Sequence, residues 1–121
     1  MKLLEAEDVL LIHEDVINKH ELQDLAGDRS LYSVIGQIEN RIKYGIIKDE
    51  FDLAANYAVV IAVGHVFNDA KKRTAFRSMD VCLRINGIEL TYDTTEIGNI
   101  IIKVAQKLID EIELASYLRS L

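Results

Sequence analysis

The residues best suited to chemistry lie in one stretch: Gly64, His65, Val66, Phe67, Asn68, Asp69, Ala70, Lys71, Lys72, Arg73 and Thr74. The hydrophobic pattern sets this stretch between two helices, the second starting at about Ala70. A helix start presents unpaired backbone N–H groups and the positive end of its dipole, and so attracts anions. Lys71, Lys72 and Arg73 fall in that first turn, where cations oppose the dipole. The conflict resolves if an anion such as a polyphosphate rests on the turn. His65 closes the preceding helix and can accept a proton from a hydroxyl near neutral pH. Asp69 lies four residues further on, and a carboxylate beside a phosphate site is a usual Mg2+ ligand. Phe67 alternates with these polar residues, a pattern that points it into the core as an anchor. A base, a Mg2+ carboxylate and a cationic helix start together suit transfer from a nucleotide to a hydroxyl. Singly, a histidine beside an apolar helix or a Lys-Lys-Arg run has an ordinary structural reading. Their joint placement at one helix start is the informative feature.

Bulk properties narrow the class. The chain of 121 residues corresponds to one domain, residues 1–121, and half of it is hydrophobic, enough for a core without staples. With 14 basic against 20 acidic residues the net charge is −6. That balance argues against sequence-independent binding to DNA or RNA but leaves room for a local phosphate cluster. The single cysteine, Cys82, has no internal disulfide partner and reads as a small buried hydrophobe. Glu5, Glu7 and Asp8 stand where a signal peptide needs its apolar run, and the longest apolar run, 54–63, contains Asn56 and is too short to span a bilayer. The expectation is a cytoplasmic protein with no membrane contact. His13 and His20 have no metal-like spacing with His65 and read as structural or surface residues. Tyr32, Tyr44 and Tyr57 read as packing residues with their hydroxyls near water. No zinc, haem or nucleophilic-cysteine pattern is present.

The elements that must position the stretch are helical. There is no proline and there are only six glycines, and apolar residues recur three and four apart. The spacing predicts a first helix over 6–19, with Val9, Ile12, His13 and Val16 on one face. A polar loop over 21–29 follows. A second helix starts after Ser30 and stops near Gly45. A third, over 52–64, is apolar nearly all round and belongs at the centre. The fourth runs from about Ala70 to Asn86, where Asn86-Gly87 forms a natural end. Residues 88–92 read as a short extended segment. Asp93 and Glu96 have capping-box spacing for a fifth helix over 94–109, and a last helix covers 113–121. Asp49, Glu50 and Asp52 supply ordinary negative charge at the third helix start. The predicted fold class is all-α, a compact bundle of about six helices around a central helix that leads into the motif loop.

The run His65-x-Phe67-x-Asp69-Ala70-x-Lys72-Arg73 resembles the signature of the Fic/Doc family, in its Doc branch, which reads H-x-F-x-D/N-A/G-N-K-R. Ile12-His13-Glu14, the stretch over 41–51 and Leu83-Arg84-Ile85-Asn86-Gly87 also look Doc-like, so the resemblance covers nearly the whole chain.

The resemblance implies the Fic/Doc fold and a toxin of a bacterial toxin–antitoxin pair. The best-understood member of the branch phosphorylates a threonine of elongation factor Tu and stops translation; most other Fic proteins transfer AMP to a target hydroxyl. Both use ATP and Mg2+. By resemblance, His65 is the general base, Asp69 holds Mg2+, and Lys72 and Arg73 hold phosphate oxygens. The backbone of Ala70, Lys71 and Lys72 forms the anion hole, Arg77 adds a nucleotide contact, and Phe67 anchors the loop. AMP-transferring members carry glycine at the Lys72 position and arginine at the Phe76 position, so both departures favour phosphoryl transfer. Lys71 replaces the family's asparagine, which leaves a catalytically weak, antitoxin-binding protein as a further alternative. No self-inhibitory S/T-x-x-x-E-G/N string occurs, so a separate Phd-like antitoxin is expected in trans, docking a disordered tail as a helix. The loop over 21–33 is expected to flank the site.

Overall fold

A run of apolar residues with no polar face is stable only if other elements cover it on all sides. The computed structural model describes residues 1–18, 30–64, 67 and 70–121. There that run is the third of six helices: α1 (Ala6–Val16), α2 (Leu31–Lys43), α3 (Glu50–Val63), α4 (Lys71–Ile85), α5 (Thr94–Ala105) and α6 (Glu111–Arg119). No strand occurs among the described residues. The architecture is the expected all-α bundle, with α3 packed against α2, α4, α5 and α6. Its most extensive partner is α4, the helix that carries the motif's cations, and α1 packs on α4. Ala54, Ala55, Ala58 and Ala62 of α3 are all buried and keep its surface low, which lets neighbours approach closely. Asn56 is the one amide in that buried run. It accepts from Arg41 at 2.6 Å and donates to the Asp52 carbonyl at 2.8 Å, so its burial leaves neither end unpaired.

Local chemistry sets the helix ends. Ser30, Asp49, Asp93 and Asp110 each accept, through the side chain, an N–H from the first turn of the helix that follows. Glu5 and Asp8 form a reciprocal capping box at α1. Gly45 (φ 74°) and Gly87 (φ 82°) take the left-handed conformation that closes α2 and α4.

Several boundaries differ from expectation. α1 ends at Val16, and Lys19 lies outside the described residues, as does the loop over 21–29. α2 starts after Ser30 as expected, so residues 31–33 of the segment expected to flank the site form its first turn. α3 starts earlier than 52 because Asp49 is its cap. α5 stops at Ala105, well short of 109, because Lys107 adopts φ 63° while Leu108 donates back to the Lys103 carbonyl at 2.9 Å. Asp110 then starts α6 ahead of 113. Tyr57 is buried, not near water: its hydroxyl donates to the Leu4 carbonyl at 2.7 Å and accepts from the Leu4 N–H at 2.8 Å. No helix among the described residues is long and apolar enough to cross a membrane.

Candidate functional site

The site forms where α4 begins. Ala70 is the residue before the helix and sits in the left-handed region at φ 61°, with no side chain to cap the first turn. An alanine held there costs energy that the surroundings must offset. Thr74 closes the turn by donating both its N–H and its hydroxyl to the Ala70 carbonyl, each at 2.8 Å. The first turn holds Lys71, half-buried, then Lys72 and Arg73, both exposed, and no acid. Among the described residues no side chain caps this cation-lined helix start, and its N–H groups and positive charge suit an anion.

Neighbouring elements hold this turn. Phe67 is 2% exposed and its ring lies flat on His13 of α1, with centroids 4.0 Å apart. His13 Nδ1 is 3.1 Å from the Thr74 hydroxyl oxygen. Arg73 Nη1 donates to the Val16 carbonyl at 3.0 Å, so the last residue of α1 fixes one nitrogen of the guanidinium.

Beside the turn, between α4 and α5, lies a cavity of about 440 Å³. Lys72 and Arg73 form its cationic side; Phe76, Tyr92, Ile97, Gly98 and Ile101 are among its apolar walls. Phe76 meets Tyr92 edge-on at 5.2 Å. The Tyr92 hydroxyl donates to buried Asp80 at 3.2 Å, and Asp80 also accepts from Arg84 at 2.9 Å. Burial, with the Asp80 carboxylate beside it, pushes the Tyr92 phenol up, so it stays protonated and keeps this wall tied to α4.

Ala70, Lys71, Lys72 and Arg73 are thus brought together. Arg77 is exposed one turn further along α4 and does not line the cavity. Phe67 is in the core. His65 and Asp69 lie outside the described residues. Among the described residues no group of three or more His, Cys, Asp or Glu is placed to hold a metal. Burial pushes the Cys82 thiol up to about 12, which suits its reading as a buried hydrophobe. The sequence reading missed two features. His13 touches the site, although its place on the apolar face of α1 was a signal. The cavity wall draws on α5, whose distance along the chain hid it.

No family model matches the chain. The protein kinase doc of Escherichia phage P1 is 32% identical to it over 122 residues, spanning 100% of this chain and 96% of that protein. This chain belongs to the Fic/Doc family, in its Doc branch. The Doc match runs through every helix described above, so the cationic turn, the α1 contacts and the α4–α5 cavity all lie within the shared region. Chemically, the cations of this Doc-type turn suit an anion and the adjoining hollow suits an apolar or planar group.

Proposed function

We propose that this chain is an ATP- and Mg2+-dependent protein kinase that acts as the toxin of a toxin–antitoxin pair. One observation carries the reading: Lys72 and Arg73 belong both to the first turn of α4 and to the lining of the apolar cavity. That adjacency matches a nucleotide, which joins phosphates to a base. The relationship to a protein named as a kinase supports the phosphoryl group as the one transferred.

In this reading His65 accepts the proton of a serine or threonine hydroxyl on the target. Asp69 would hold Mg2+, which when bound would neutralise phosphate charge. Lys72, Arg73 and the N–H groups after Ala70 take the remaining phosphate charge, and Lys71 adds a cationic donor. Arg77 makes an outer phosphate contact. Phe67 holds the loop to the core. The target is a translation factor, with elongation factor Tu as the first candidate, and inhibition comes from a Phd-like antitoxin in the cytoplasm. AMP transfer is disfavoured because Phe76, standing where AMP-transferring members carry arginine, is committed to the Tyr92 contact.

Induced expression tests this. Wild type should arrest growth, and His65→Ala and Arg73→Ala should each relieve the arrest while keeping helical circular dichroism. Full toxicity in both variants would overturn the assignment. Lys71→Asn addresses the alternative of a weak, antitoxin-binding protein: activity appearing only in that variant would favour it over the kinase.

A further inference from the structure

α1 reaches the candidate site through one buried side chain. His13, Phe67 and Thr74 are each no more than 2% exposed. The His13 ring stacks on Phe67 with an interplanar angle of 15°, and its Nδ1 meets the Thr74 hydroxyl oxygen. A threonine hydroxyl has one hydrogen, and Thr74 gives it to the Ala70 carbonyl. Its oxygen is therefore left to accept, and His13 Nδ1–H is the donor. Phe67 and Thr74 lie on either side of the strained Ala70. One ring thus grips both flanks of the segment that carries the first-turn N–H groups. A conformation like that of Ala70 persists only where its surroundings over-determine it.

We infer that His13 is a positioning residue for the phosphate-binding turn, an inference that rests on the kinase reading for its catalytic consequence but not for its structural one. Both properties of imidazole are used. Leucine fills the volume but neither stacks nor donates. Phenylalanine stacks but cannot donate. Asparagine places a donor at the Nδ1 position but has no ring. Arg73 and Val16 add a second tie from the same helix, on the solvent side of the turn.

Amide exchange by mass spectrometry, together with transfer kinetics, tests the inference on His13→Leu, His13→Phe and His13→Asn. In His13→Leu, exchange over residues 67–74 should rise about tenfold or more while α5 and α6 keep wild-type protection. Where ATP-dependent transfer is measured, kcat should fall about hundredfold, by more than KM for ATP rises, since misplacement acts on geometry. Asparagine should restore much of the Thr74 protection that leucine loses, and phenylalanine much of that around Phe67. Unchanged exchange over 67–74, an increase spread evenly over all helices, or asparagine and phenylalanine variants no better than leucine would each overturn it. Should His13→Leu fail to fold, the asparagine and phenylalanine variants decide the question by the same local comparison. If the wild type shows no ATP-dependent transfer, the kinase reading falls, and the exchange comparison still decides the role of His13.

Discussion

Arg73 Nη1 donates to the Val16 carbonyl oxygen at 3.0 Å, so a cation of the candidate phosphate site also rivets the end of α1 to the start of α4. The carbonyls of a helix's last turn lack partners within the helix, and this contact supplies one. The guanidinium has five N–H donors in a rigid fork, enough to serve both a carbonyl and an anion.

Arg73→Lys should separate the two roles. The charge remains but the fork is lost, so stability should fall by about 1 kcal/mol, or about 4 °C in Tm. Phosphate affinity should fall less than in Arg73→Ala. Thermal melts and ATP titrations measure both; equal loss of affinity in the two variants would show that charge contributes nothing.

The cavity can be tested without touching any polar group. Gly98 lines it from α5, and a Cβ there would meet nothing within 4 Å. Gly98→Ala should raise stability by about 1 kcal/mol through helix propensity alone. Gly98→Phe should fill the hollow and weaken ATP binding by about tenfold or more, because a base buries most of its surface in such a site. Wild-type affinity in Gly98→Phe would place the base elsewhere.

Gly64 ends α3 immediately before His65. A Cβ built there collides with the Val60 carbonyl oxygen and presses on Val34 at 3.3 Å. Gly64→Ala should cost about 1–3 kcal/mol, the range for forced overpacking, and should displace the chain entering the motif. Chemical denaturation and growth arrest should fall together in this variant.

Asp49 makes the fold sensitive to acid. Burial pushes its carboxyl up, but the Asp52 N–H, Arg119 and the Phe51 N–H outweigh that and hold it below its ordinary value of 3.8. A carboxyl depressed in the folded state stabilises above its unfolded value, and that contribution fades as pH falls through the folded one. The Asp49 and Arg119 side chains are 39% and 41% exposed, so screening keeps the ion pair below about 1 kcal/mol. Asp49→Asn, which can still cap α3, should therefore lose little at neutral pH, and its deficit should shrink as pH drops below 3.8. A deficit that grows on acidification would contradict this sign.

Much of the bundle was legible because helical spacing and caps are local. Gly45 and Gly87 mark their helix ends by residue type alone. Lys107 does not: a lysine in the left-handed region has no local signature, so α5 seemed to continue. Asp49 was visible as charge, but its partner Arg119 comes from the far end of the chain and meets it only through packing. The cationic turn was legible from the clash between Lys71, Lys72, Arg73 and a helix start. The hollow beside it was not, because Phe76 and Gly98 become neighbours only once α4 and α5 pack. The role of His13 lay hidden for the same reason. Its spacing showed a core face, while its partners Phe67 and Thr74 belong to another part of the chain.

The central claim is transfer of a phosphoryl group at the motif. Purified protein, ATP and Mg2+ should be incubated with elongation factor Tu and with cell extract, and modified proteins read by intact mass. The account predicts an increment of one phosphoryl group on a protein hydroxyl, absent with His65→Ala and strongly reduced with Arg73→Ala. An increment of one AMP, or a phosphoryl increment undiminished in His65→Ala, would contradict it.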